Sequence, residues 1–303
     1  MRLVVTGQHG QVARALIALG PQFGAHVIAL ARPEIDLADE RDLLEPFRRA
    51  QPDVIVSAAA YTAVDRAESE PDIAQSINAR APERIAAAAA VLNVPLIHLS
   101  TDYVFDGKKT SPWVEADAPG PLSVYGATKL AGERAVLTTA SDCTVLRVAW
   151  VYSPFGNNFV KTMVRLAGTN DAVRVVADQH GAPTSAHEIA AGIFKVAANL
   201  LGAPGRAELR GVFHMGAAGE TTWAGFADAI FDGIAAGGGR RVAVIPITTA
   251  DYPAPARRPR NSVLNSAKLA DVHGVALTAW RGALEPVLEA IVASSLPSKS
   301  RSR

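Results

Sequence analysis

Five short apolar runs, each followed by helical pattern, constrain this chain more than any other feature. They are Arg2–Thr6, His26–Leu30, Asp53–Ser57, Pro95–Leu99 and Thr144–Val148. Runs of this length and composition read as strands buried on both faces, the habit of a parallel sheet. Their alternation with helices predicts an α/β fold on a Rossmann-type, doubly wound parallel sheet, with ligands outside its carboxyl edge. The dinucleotide-binding part is expected over residues 1–152, with segments of about 180–215 returning to it. Residues 153–303 read as a smaller, mainly substrate-binding α/β region whose tail from about residue 295 is disordered.

The segments just past the strand ends carry the chemistry. Gly7-Gln8-His9-Gly10-Gln11-Val12-Ala13 comes directly after the first strand and opens a helix through Leu19. Gly7 allows a tight turn, Gly10 lets the backbone approach a pyrophosphate at the helix N-terminus, and Ala13 permits close packing of helix on strand. The second strand ends at Ala31-Arg32-Pro33, with no acid before Glu34 to bind ribose hydroxyls. Arg32 can pair with a 2′-phosphate, which favours NADPH over NADH, or can be an ordinary surface arginine. Asp36 and Leu37 are expected beside the adenine. Ala58, Ala59 and Ala60 after the third strand are small enough for a backbone that passes under a cofactor. Tyr61 to Glu68 then forms the near wall of a substrate pocket.

The fourth strand delivers Ser100-Thr101-Asp102-Tyr103, a hydroxyl, an acid and a phenol, at its end. A Gly/Pro-rich loop leads to Tyr125 and Lys129, four apart and therefore on one face of a helix. A nearby ammonium favours phenolate and lowers a phenol pKa, so such a pair can do acid–base work near neutrality. A solvent-facing Tyr/Lys pair is the plain alternative, and only a surrounding nucleotide fold overrides it. Helices are expected over Asp39–Arg49 and over the alanine-rich Pro71–Leu92, the second packed rather than catalytic. Beyond Trp150 the pattern loosens into a helix to Leu166, a strand Val173–Val176, helices Ala186–Leu200 and Thr222–Ala235, and a strand Val212–Met215. Thr248 to Asn265 is irregular, with Pro253, Pro255 and Pro259 around Arg257 and Arg258. Adjacent arginines on a proline-fixed loop suit a diphosphate.

Composition removes several function classes. Thirty Lys and Arg against 29 Asp and Glu leave a net charge of +1, so there is no footprint for nucleic acid. The basic run Lys299 to Arg303 reads as a solvated tail. Cys143 is the only cysteine, which rules out an internal disulfide and any cysteine-clustered metal site; it reads as a buried structural thiol. With no signal peptide and no membrane-length apolar run, a cytoplasmic globular protein is expected.

Taken together these residues resemble the extended short-chain dehydrogenase/reductases. Within them they resemble the branch that reduces the C4 keto group of dTDP-4-dehydro-L-rhamnose. The carrying motifs are Gly7 to Gln11, Ala58 to Asp65, Ser100 to Gly107, Tyr125 to Glu133, Trp150 to Tyr152, Gly156 to Phe159, Gln179 to Thr184 and Ala256 to Asn265. The resemblance implies that Tyr125 protonates the C4 oxygen as NADPH or NADH delivers hydride, and that Lys129 lowers the tyrosine pKa and bonds the nicotinamide ribose. It implies that Thr101 polarises the same carbonyl. Thr62, Val64, Asp102, Tyr103, Trp150 and Asn158 line the sugar site, and Arg257 and Arg258 face the diphosphate. Gly7, Gly10, Gln11, Val12, Asp36, Leu37, Ala60 and Tyr61 contact the cofactor.

Two departures stand out. Ser57 occupies a place where this branch often has Asn. The glutamates that hold Mg²⁺ between subunits in some members have no match in Val12–Ala15, and His187 precedes Glu188, so no metal is expected in a monomer or homodimer. Sugar-nucleotide 4,6-dehydratases share the Tyr/Lys pair but need two acids after the fourth strand, where this chain has Asp102 and then Tyr103. A reductase of another nucleotide-linked 4-keto-6-deoxy sugar stays open. So does a non-catalytic role like that of the regulatory subunit of methionine adenosyltransferase, although intact Thr101, Tyr125 and Lys129 speak against it.

Overall fold

The computed structural model describes residues 1–295. The tail expected to be disordered and the basic run 299–303 lie outside the described residues. The five apolar runs form β1 (Arg2–Thr6), β2 (His26–Leu30), β3 (Val54–Ser57), β4 (Leu96–Thr101) and β5 (Cys143–Val148). With the edge strand Gly211–His214 they make a six-stranded sheet in the order 211–214, β5, β4, β3, β1, β2. Every pairing in it is parallel.

Burial on both faces follows from side-chain alternation along each strand. Leu3, Val5, Val54 and Val56 point to one face, against the helices Gln11–Leu19 and Ala186–Gly202. Val4, Ile55, Leu96 and Val145 point to the other, against the helices Leu44–Ala50, Ala81–Leu92 and Val124–Thr139. At about 25 cal/mol per Å² of apolar surface, each fully buried Leu, Ile or Val contributes roughly 1.5–3 kcal/mol to these two cores. Cys143 lies in the second, and burial pushes its thiol up to about 11.

A third core belongs to the second half of the chain. The helices Phe159–Ala167, Trp223–Ala236 and Trp280–Ser295 frame a parallel pair of strands, Ala172–Val176 and Ala243–Ile247. Phe226, Ile230 and Phe231 fill it. The strand Ala243–Ile247 and the helices Ala267–His273 and Trp280–Ser295 were not foreseen in the sequence.

Two expected helices change form. The one expected from Asp39 begins only at Leu44. Asp39 and Asp42 accept the backbone amides of Arg41 and Leu44 at 2.6 and 2.9 Å, local turns that compete with helix. The helix expected over Pro71–Leu92 is interrupted by one π-helical turn, Ser76–Arg80. Among the described residues no helix is long and apolar enough to cross a membrane.

Candidate active site

Strand order reverses between β1 and β3, which leaves a crevice at their carboxyl ends. Gly7 follows β1 with φ +84°, a conformation side chains rarely adopt, and a Cβ there would lie 3.1 Å from that of Ala59. Thr6 Oγ accepts the amides of Ala58 and Ala59 at 3.0 and 3.1 Å, which pins the alanine strip beside the glycine turn. Gly10 is the N-cap of the helix Gln11–Leu19, without a side-chain capping bond. A Cβ built on it meets nothing within 4 Å. The space beside the start of that helix is thus open at Gly10, which suits a dinucleotide pyrophosphate at the helix N-terminus.

Gln11 turns elsewhere. Its amide donates to Val151 O at 3.2 Å, and its oxygen accepts from Ser153 Oγ at 2.8 Å and Asn158 Nδ2 at 2.9 Å. Asn158 also caps the helix Phe159–Ala167 by accepting the Lys161 amide at 3.1 Å. Both polar side chains thus tie the glycine turn to the second half of the chain.

The acid–base groups meet at the end of β4. Thr101 Oγ donates to Asp102 Oδ1 at 3.0 Å and accepts the Tyr103 amide at 3.2 Å. Ser123 caps the helix Val124–Thr139 by accepting the Gly126 amide at 3.2 Å, which puts Tyr125 in the first turn. A Cβ on Gly126 would lie 2.2 Å from Tyr103 O, so only glycine lets this helix come so close. The rings of Tyr103 and Tyr125 then meet edge to face at 5.5 Å.

Burial decides the electrostatics here. It pushes the Tyr125 phenol up to about 12; the Thr101 hydroxyl pulls it down and the Asp102 carboxylate adds to the rise. Tyr125 is therefore a protonated acid at neutral pH. Burial also raises Asp102 to about 6, against the nearby hydroxyls of Ser262 and Thr101; Thr101 bonds Oδ1, and Oδ2 has no partner in hydrogen-bonding geometry. Lys129 is 3% exposed; its Nζ donates to Leu99 O at 2.6 Å and lies 3.5 Å from His98 Nε2. Burial lowers it to about 8, opposed by Glu133.

The remaining sequence candidates divide. Val12 and Leu37 are buried in the two sheet cores. Arg32 is 80% exposed at the end of β2, 3.7 Å from Asp36. Tyr61 is held by Asn78, which accepts its amide at 2.8 Å, and its hydroxyl bonds Glu70. Val64 opens the short helix Val64–Ala67, and Thr62 beside it is exposed. Trp150 has φ +48° and stacks on Trp223, ring centres 3.6 Å apart. Arg258 makes a two-pronged bond with Asp65 at 3.1 and 2.7 Å, whereas Arg257 is exposed.

Sequence reasoning missed Asn78, His98, Asp65 as the partner of Arg258, Trp223, and the buried pair Glu133–Arg147 at 2.9 and 2.7 Å. A polar residue within an apolar run was the available signal for His98 and Arg147. Asn78 offered none, because its reach depends on the π-helical turn. Among the described residues, no group of three or more His, Cys, Asp or Glu is placed to hold a metal.

A parallel sheet with a crevice at its point of strand reversal, a half-buried tyrosine beside a threonine hydroxyl, and a lysine one turn on is the arrangement of a nicotinamide-dependent oxidoreductase of the short-chain type. The chain belongs to the RmlD substrate binding domain family, which residues 1–293 match. It is 49% identical over 280 residues to a dTDP-4-dehydrorhamnose reductase of Sinorhizobium fredii, covering 92% of this chain and 94% of that one. Its fold is similar to that of a dTDP-4-dehydrorhamnose reductase of Clostridium acetobutylicum (TM-score 0.88, 35% identity, 95% and 99% of the two chains). It is also similar to the Bacillus anthracis enzyme in complex with NADP (TM-score 0.86, 31% identity, 95% and 98%).

Proposed function

We propose that the protein reduces the C4 keto group of dTDP-4-dehydro-L-rhamnose to give dTDP-L-rhamnose, with NADPH preferred to NADH. The observation that carries this reading is the half-buried, protonated Tyr125 beside the Thr101 hydroxyl at the carboxyl edge of the sheet. Gly7, Gly10 and Ala58 to Tyr61 would hold the cofactor, with Asp36 and Leu37 toward its adenosine end. When bound, the cofactor supplies the hydride that C4 takes up. Tyr125 donates its proton to the C4 oxygen, and Thr101 turns its single hydroxyl hydrogen from Asp102 Oδ1 to the same oxygen as charge develops there. A phenol enters a reduction carrying the proton that the C4 oxygen takes up.

Lys129 holds the nicotinamide ribose. Asp102, with one oxygen unpartnered, accepts from a sugar hydroxyl, and Thr62, Val64, Tyr103 and Trp150 line the sugar. Arg257 faces the diphosphate, while Arg258 fixes its loop through Asp65. Arg32 is exposed at the end of β2 and can swing to a 2′-phosphate.

The test monitors NADPH absorbance on addition of protein to the keto sugar nucleotide made from dTDP-glucose by the preceding reactions. Consumption with dTDP-L-rhamnose as product is expected, with a Tyr125→Phe variant that binds NADPH but turns over at least about 100-fold more slowly. Substantial turnover by that variant would remove Tyr125 as the acid. NADPH binding without reduction would redirect the assignment to another nucleotide-linked 4-keto-6-deoxy sugar or to a binding role. An NADPH preference that survives Arg32→Ala would remove the role of Arg32.

A further inference from the structure

Ser57, His98 and Lys129 form a run of buried polar contacts through three elements. Ser57 ends β3 and is paired in register with His98 of β4. Ser57 Oγ lies 3.1 Å from His98 Nδ1, and His98 Nε2 lies 3.5 Å from Lys129 Nζ on the helix Val124–Thr139. Their exposures are 1%, 0% and 3%. Nothing in the reaction described above gives Ser57 or His98 a part.

We propose that Ser57 and His98 are positioning residues that hold Lys129 as a charged, oriented donor toward the cofactor ribose, in the same site as the proposed oxidoreductase reaction and resting on that reading. An ammonium has three donors and no acceptor, so the facing Nε2 of His98 must accept. A neutral imidazole that accepts at Nε2 carries its proton on Nδ1, and Ser57 Oγ is the group placed to receive it. The donor-only ammonium of Lys129 therefore sets the tautomer, and Ser57 accepts the Nδ1 proton that results. Leu99 O takes a second proton of Nζ at 2.6 Å, which leaves the third for the cleft. Burial and the charge of Lys129 keep His98 neutral.

The other ionisable groups around Lys129 sit on three elements. Tyr125 lies one turn before it and Glu133 one turn after it on the same helix, Asp102 lies at the end of β4, and Arg147 of β5 is bonded to Glu133. Among the described residues, Leu99 O and His98 Nε2 are the groups recorded as partners of Nζ. An acceptor beside a buried ammonium stabilises its charged form. Loss of that acceptor should deprotonate Lys129 at lower pH and let its side chain wander.

The first measurement uses the wild-type protein alone. Nitrogen NMR of isotope-labelled histidine, assigned with His98→Gln, should show His98 protonated on Nδ1 and not on Nε2. NADPH affinity and turnover are then measured from neutral to alkaline pH. His98→Leu should lose about tenfold to 100-fold in turnover, and its alkaline loss of NADPH affinity should begin about one pH unit lower. His98→Gln, whose oxygen reaches the place of Nε2, should recover most of the loss, whereas the shorter His98→Asn should not. Ser57→Ala should shift the profile the same way by less.

A proton on Nε2 would overturn the proposal, as would a His98→Leu profile that superimposes on wild type or a Gln variant no better than Leu. If His98→Leu does not fold, the tautomer and Ser57→Ala decide. Wild type that binds NADPH but reduces no keto sugar would remove the reaction and leave this test standing, because tautomer and NADPH titration need no sugar substrate.

Discussion

Asp102 shows how the site trades stability for chemistry. It is 2% exposed, and its Oδ2 lacks a hydrogen-bond partner. A carboxyl whose folded pKa is raised to about 6 stabilises the fold most below its unfolded value of 3.8 and loses that contribution as pH rises through 6. At pH 8 the ionised group therefore costs on the order of 2–3 kcal/mol. Asp102→Asn should raise the melting temperature relative to wild type at pH 8 and much less at pH 4, while turnover falls. Equal shifts at both pH values would contradict the account.

The placement of Tyr125 and Lys129 one helical turn apart was legible in the sequence, and the nucleotide fold around them, not the spacing, singled the pair out. The direction of the tyrosine shift was not. The spacing leads one to expect that the ammonium pulls the phenol down, whereas the fold turns Lys129 toward Leu99 O and His98, and loss of solvent around the half-buried Tyr125 pushes its phenol up. Which way a lysine turns depends on partners far away in sequence.

At the scale of elements, the helix Val124–Thr139 is fixed at its first turn and again past its middle. Gly126 lets its first turn press on Tyr103, and Glu133 binds Arg147 of β5 through both carboxylate oxygens. The side chains of that pair are 2% and 4% exposed, so removal of one partner strands a buried charge. Glu133→Gln should cost about 3–5 kcal/mol in chemical denaturation. Changing both partners to apolar residues of similar size should recover most of that. A cost below about 1 kcal/mol for the single change would mean that water reaches the pair. The strands of this sheet were legible because two-sided burial leaves unbroken apolar runs. The segment 36–43 was not, because Asp39 and Asp42 favour turns through contacts that the apolar pattern does not record.

Across the whole molecule, the loop expected to grip a diphosphate is anchored by one of its own arginines. Asp65 takes both prongs of Arg258 and the amide of Ala256, and Arg258 holds its carboxyl below the usual range. The pair is partly exposed, so Asp65→Ala should lower the melting temperature by less than about 2 °C. It should, however, speed tryptic cleavage at exposed Arg257 several-fold and raise the KM for the sugar nucleotide. An unchanged cleavage rate would show that the prolines alone hold the loop. The sequence pointed to this loop through its prolines and arginines, but it could not divide the two arginines between ligand and scaffold. That division depends on Asp65, more than 190 positions away.

The stacked indoles of Trp150 and Trp223 carry a consequence of another kind. One follows β5 in a left-handed backbone conformation and the other opens the helix Trp223–Ala236, with ring planes 10° apart. Two chromophores this close share their excited states, so the far-ultraviolet circular dichroism of the free protein should carry a split indole band from the pair. A sugar that docks against Trp150 and tilts it would collapse that band, giving an optical signal of occupancy that needs neither label nor turnover.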